Sequence, residues 1–426
     1  MSQQIENNPA LATERAPAAD GFYRRRVFAL LARLTEAEVT IEEDGSRQVF
    51  GAAPGPDPLR ATLRVRDPET WQRIALGGSV GAAEAYMDGL WETDELTTLV
   101  RIFVRNRAVL DRMEGALARF ATGVLRLWHA RRRNTHSGSR RNIAAHYDLG
   151  NDLFKLFLDP TMMYSAAVFA DPAESLETAQ IRKLDRICTK LGLKPGMRVV
   201  EIGTGWGGFA LHAARHYGAH VTTTTISKEQ RELAQAKVRD AGLAQQITVL
   251  DADYRALEGR YDRLVSIEMI EAIGAQYLDT YFAKVGELLV DDGAALIQAI
   301  TIEDHRYQQA LRSVDFIQRH IFPGSFIPSI SAMLGACTRG SDLKLYNLED
   351  IGPSYALTLA HWRARFVANL GAVRALGYPE RFVRMWTWYL CYCEGGFIER
   401  SIGDVQMLLV KPRASVPAWL PDLAPC

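Results

Sequence analysis

The stretch from Arg198 to Ala210, RVVEIGTGWGGFA, limits the possible folds more than any other part of the chain. Val199, Val200 and Ile202 make a short β-branched run, the composition of a buried parallel strand. Glycines follow at 203, 205, 207 and 208, where a backbone without Cβ atoms can turn sharply and approach a ligand closely. Phe209, Leu211, Ala214 and Tyr217 then recur at helical spacing. Strand, Gly-rich turn and helix in that order predict a nucleotide-cofactor site in a doubly wound sheet.

The glycine spacing narrows the cofactor. A dinucleotide fingerprint reads G-x-G-x-x-G and seats a pyrophosphate on the helix N-terminus. Here the run is G-x-G-x-G-G, with Glu201 two residues before Gly203. An acid there repels phosphate and suits a cationic cofactor. The pattern resembles motif I of class I S-adenosylmethionine (SAM) methyltransferases, which places Glu201, Gly203 and Gly205 beside the cofactor.

The 426 residues suggest two to three domains, and the formal net charge of zero argues against nucleic acid as the main partner. No apolar run is long enough to span a bilayer, and the polar, Ala/Pro-rich Met1 to Asp20 has no signal-peptide core. The five cysteines are an odd number, and Cys391 and Cys393 lack zinc spacing, so reduced thiols, no metal and a cytoplasmic location are expected.

After a disordered tail (1–20), residues 21–128 read as a small α+β domain. Phe22, Val27, Leu30, Leu31 and Leu34 have helical spacing. Val39–Ile41 and Gln48–Phe50 read as a strand pair joined at Asp44-Gly45, with Leu59–Val65 as a third strand. A helical pattern runs from Trp71 to Met87, with a loop-to-helix character at Gly78, and continues through Leu96–Arg105 and Val109–Trp128. Residues 129–142 contain HARRRNTHSGSRR, read as a basic linker whose charge would favour an anionic lipid surface.

Residues 143–412 form the second domain, followed by a tail (413–426). Ala219–Ile226, Ile247–Leu250, Tyr261–Ile267, Gly293–Ile300 and Val405–Val410 read as strands around the Gly-rich turn. Helices are expected after Ser227, an N-cap, and over Leu278–Leu289. The alternation predicts an α/β, Rossmann-like sheet with ligand at the C-terminal strand ends. Residues 304–400 read as an aromatic-rich helical insertion suited to lining an acyl channel.

Several ordered motifs then resemble one family. HYDLGND (146–152), MYS (163–165), KPGMR (194–198), TISKEQ (225–230), DYR (253–255), YDRLVS (261–266) and IFPG (321–324) are similar to those of cyclopropane-fatty-acyl-phospholipid synthases. The resemblance implies SAM-dependent attack on a cis double bond in membrane phospholipid acyl chains, by an enzyme often dimeric and peripheral on the inner membrane face. It also implies that Tyr164 and Ser165 close over SAM and that Thr225 and Gln230 lie near its ribose. Asp253 takes the adenine amino group, and Tyr254 stacks on the ring.

In that family a bicarbonate ion is the base that closes the ring. The resemblance places its ligands at positions 166, 271, 298 and 355. Glu271 and Tyr355 are kept, but Ala166 stands for Cys and Gln298 for His. Glu268 stands where the family usually has Gly, three residues before Glu271 and on its side if the segment is helical. We expect Glu268 to put a protein carboxylate at the bicarbonate position, making bicarbonate doubtful as a cofactor. Proton loss would then give a methyl-branched, still unsaturated chain, which a partner reductase could saturate. The alternatives are a bicarbonate-using cyclopropane synthase, a small-molecule C-methyltransferase and a non-catalytic SAM- or lipid-binding protein.

Overall fold

The computed structural model describes residues 17–52, 58–112, 149–414 and 416. The basic stretch His129 to Arg141, the motif residues His146 to Asp148 and most of both tails lie outside the described residues. The chain packs as two compact units.

The smaller unit holds a four-stranded sheet of order β2-β1-β3-β4, formed by Ala37–Glu43 (β1), Ser46–Ala52 (β2), Leu59–Val65 (β3) and Trp91–Glu92 (β4). Asp44 and Gly45 join β1 to its antiparallel partner β2 with φ of 47° and 73°. Both values are positive, as a two-residue hairpin turn matching strand twist requires. The Pro17–Leu31 helix begins inside the stretch expected to be disordered. The Glu69–Met87 helix breaks at Gly78, with φ 57° and ψ −137°.

The larger unit is built on seven strands in the order β10-β11-β9-β8-β5-β6-β7. They are Arg198–Ile202 (β5), His220–Thr225 (β6), Ile247–Asp251 (β7), Tyr261–Ile267 (β8), Leu289–Ile302 (β9), Lys344–Asp350 (β10) and Ile402–Val410 (β11). Strands β5 to β9 pair in parallel, while β10 and β11 add antiparallel at one edge. Side chains alternate across this sheet with period two. Val199, Val265, Leu296 and Leu408 pack on one face with the Leu176–Leu191 and Gly208–Tyr217 helices. Val200, Leu264, Ile297 and Met407 pack on the other with the Leu278–Leu288 and Ile330–Gly340 helices.

Two differences from the sequence expectation concern the larger unit. Strand β10 lies within the stretch read as helical. The Leu96–Arg105 helix, expected in the small domain, belongs to the larger unit and packs on the Glu380–Ile398 helix. Among the described residues no helix is long and apolar enough to cross a membrane.

Candidate active site

The strand order reverses at β5, which lies between β8 and β6. A crevice therefore opens at the C-terminal ends of β5 and β8, where doubly wound sheets take their ligands. The Gly-rich turn fills the first of these ends. Gly203 has φ 98° and Gly205 φ 51°, and a Cβ on Gly205 would meet nothing within 4 Å. The turn is thus open at Gly205, while a Cβ on Gly203 would crowd Met269 at 3.0 Å, and both positions would be strained by a side chain.

The other cofactor candidates surround it. Glu201, next to last in β5, is buried, accepting a hydrogen bond from Thr223 Oγ1 at 2.6 Å, and burial pushes its carboxyl up to about 8. Ser165 Oγ accepts from Lys183 Nζ at 2.7 Å, and the Tyr164 and Tyr389 hydroxyls pair at 2.9 Å. Thr225 Oγ1 donates to Gln230 Oε1 at 3.0 Å, so these two hold each other after β6. Ser227 caps the Lys228–Asp240 helix, its Oγ accepting from Gln230 N. Asp253 is held by Arg255, which donates Nε to Oδ1 at 2.8 Å and Nη2 to Oδ2 at 2.7 Å. Tyr254 packs in the core, edge-on to Tyr281 at 5.6 Å.

The catalytic candidates converge at the end of β8. Glu268 follows that strand with φ 46°, a left-handed conformation that favours Gly. The segment is not a helix, because residues 270–272 form a single 3₁₀ turn. The strand end and this turn, rather than helical spacing, bring Glu268 and Glu271 together. Glu268 Oε1 accepts from Ala166 N at 2.7 Å and Gln298 Nε2 at 2.8 Å, while Oε2 accepts from the Tyr355 hydroxyl at 2.7 Å. Glu271 Oε1 accepts from Ile300 N at 2.6 Å, and its buried Oε2 has no hydrogen-bond partner.

Two residues of this cluster were not legible as candidates. Asp404, fully buried on β11, accepts from Gln298 Nε2 at 3.1 Å. Lys183, fully buried on the Leu176–Leu191 helix, is the cation of the group. The available signal was a lone acid beginning the apolar run of β11 and a lysine on the inward face of an amphipathic helix.

Burial dominates the electrostatics, raising every carboxyl of the cluster and lowering its lysine. Burial, then the Glu268 charge, pushes Glu271 up to about 8. Burial and the adjacent Glu268 push Asp404 well above the usual carboxylate range. Burial also raises Glu268, against the donors Ala166 N and Tyr355, the charge of Lys183, and Gln298. Lys183 is itself brought down to about 8 by burial, against the pull of Glu268, Asp159, Asp404 and Glu201. Glu268 and Glu271 are half-buried, while Gln298, Tyr355, Asp404 and Lys183 are buried. The two glutamates thus give the cluster its accessible face.

Aromatic rings form the adjoining wall. Tyr164 lies 5.2 Å from both Trp362 and Phe154 and 6.3 Å from Phe322, and Tyr355 stacks on Phe397 at 4.4 Å. Carboxylates beside aromatic faces favour a cation in a site that restricts water.

A family model described as mycolic acid cyclopropane synthetase matches residues 134–407. The chain belongs to this family. It is 37% identical to the tuberculostearic acid methyltransferase UfaA1 of Mycobacterium tuberculosis over 410 residues, covering 94% of this chain and 92% of that one. It is 39% identical to the cyclopropane-fatty-acyl-phospholipid synthase of Escherichia coli K12 over 356 residues, covering 83% and 87% respectively. The crystal structure of mycolic acid cyclopropane synthase CmaA1 with SAH and CTAB superposes with a TM-score of 0.60 at 33% identity, covering 64% of this chain and 98% of that one. The protein is thus a SAM-dependent methyltransferase, and the Gly-rich turn, open at Gly205, fits that cofactor.

Proposed function

We propose that the protein methylates the cis double bond of an unsaturated acyl chain in membrane phospholipids and yields a methyl-branched, still unsaturated chain. The observation that carries this reading is the convergence on Glu268. Three of the positions where the family resemblance puts bicarbonate ligands, 166, 298 and 355, all donate to its carboxylate. A protein carboxylate thus meets the donors that would otherwise hold the ion. Similarity to a tuberculostearic acid methyltransferase supports the same product class.

SAM supplies an electrophilic methyl group. The alkene carbon bonds to it with the π electrons, leaving a carbocation on the neighbouring chain carbon. The Glu268, Glu271 and aromatic wall stabilises that charge, and the buried setting restricts attack by water. Glu268 then accepts a proton from an adjacent chain carbon, whose C–H electrons form the new double bond. The balance is one methyl gained and one proton released. The double bond that remains is what a partner reductase would saturate. Access to phospholipid places the enzyme peripherally at the membrane surface.

With purified protein, SAM and phospholipid vesicles, S-adenosylhomocysteine release is expected with cis-monounsaturated chains and at background with fully saturated ones. Equal release from both vesicle types, or release from neither, would overturn the substrate assignment.

A further inference from the structure

A buried line of polar side chains runs across the sheet behind the carboxylates, and its direction is set at the end far from the site. Lys190 on the Leu176–Leu191 helix is fully buried and ion-paired to Glu349 at 2.5 Å. Its Nζ also lies 2.9 Å from Gln406 Oε1 on β11. Gln406 Nε2 donates to Gln298 Oε1 on β9 at 3.1 Å, the two residues being direct register partners. Gln298 Nε2 then donates to Glu268 at 2.8 Å and Asp404 at 3.1 Å.

An ammonium group has only donors, so the amide end facing Lys190 must be oxygen. Each amide then has one orientation. Gln406 turns its oxygen to Lys190 and its nitrogen to Gln298, and Gln298 turns its nitrogen to the carboxylates. Without the cation, Gln298 could turn over and aim its oxygen at two carboxyl groups. We propose that Lys190 and Gln406 are positioning residues that hold Gln298 with its amide nitrogen toward Glu268 and Asp404. The inference rests on the reading of Glu268 as the base and extends it to two residues that do not touch the reacting atoms.

The consequence is a pH dependence with a definite sign. An N–H donor favours the ionised carboxylate, whereas an oxygen in its place favours the protonated form. The other groups facing Glu268 are Asp404, Glu271, Lys183 and the Tyr355 hydroxyl, and they are unchanged by substitutions further along the line. Lys190→Met and Gln406→Leu should therefore move the acid limb of the kcat/KM profile to higher pH by roughly one unit or more. Gln406→Leu keeps every charge in place, so a shift there reports lost amide orientation rather than a lost cation. Lys190→Arg keeps a donor-only cation and should return the limb toward its wild-type position.

The test is the pH profile of S-adenosylhomocysteine release from cis-monounsaturated vesicles for the wild type, these three variants and Glu268→Gln. Upward shifts in Lys190→Met and Gln406→Leu, reversed in Lys190→Arg, are expected. A limb absent from Glu268→Gln yet unmoved in Gln406→Leu would overturn this inference alone, even if the variant lost activity or melted earlier. A limb persisting in Glu268→Gln would overturn the assignment of the base, and this inference with it.

Discussion

Glu268→Gln is expected to lower kcat by about 10²–10⁴-fold, the usual contribution of a positioned acid–base group. SAM affinity should stay close to wild type, since the Gly203–Gly205 cradle lies at the neighbouring strand end. The substitution keeps the side-chain shape but removes the charge and most of the proton affinity. Single-turnover kinetics, with SAM binding measured separately by calorimetry, would resolve the effect. Near-wild-type turnover with an unchanged product would mean that another group takes the proton.

The second prediction uses the backbone at the same position. Glu268 has φ 46°, and such a conformation in a non-glycine residue costs roughly 1–3 kcal/mol. Glu268→Gly relieves that strain while deleting the carboxylate, so its melting temperature should hold or rise as activity collapses. It also leaves Ala166 N and the Tyr355 hydroxyl without that acceptor and Gln298 Nε2 with Asp404, three donors still converging on one point. A small planar anion fits such a vacancy. Millimolar bicarbonate or formate is expected to restore activity by at least roughly tenfold, since several donors are already aimed at one point. Rates measured with and without each anion, in carbonate-free buffer, would check this. A variant that unfolds, or that responds equally to chloride, would contradict the account of the donors.

Elements of both units could be read from sequence where their signals are local. The Gly-rich turn, the Ser227 cap and the Asp44-Gly45 hairpin each depend on a few adjacent residues with a definite backbone requirement. The site was legible in part, because Glu268, Glu271, Gln298 and Tyr355 fall at motif positions. Its remaining members depend on contacts distant in sequence. Lys183, Arg186 and Lys190 share one helix face, a pattern that ordinarily belongs to solvent. Here that face is buried, because Ser165, Glu349 and Gln406 supply its partners. Asp404 is an acid in a strand whose partner, Gln298, lies 106 residues earlier. Strand β10 carries Lys344, Leu345 and Tyr346 exposed in succession, so it lacks the alternation that marks a half-buried strand.

The central claim is that Glu268 takes the proton from the acyl chain rather than leaving ring closure to a bound ion. The most direct measurement is mass spectrometry of the acyl product formed by purified enzyme from SAM and cis-monounsaturated phospholipid, before and after mild catalytic reduction with deuterium gas. Cyclopropane and methyl-branched alkene have the same mass, but only the alkene takes up deuterium across a double bond. The account predicts a methylated chain that takes up two deuterium atoms and fragments at a mid-chain branch. A methylated chain that resists reduction and fragments as a cyclopropane would contradict it.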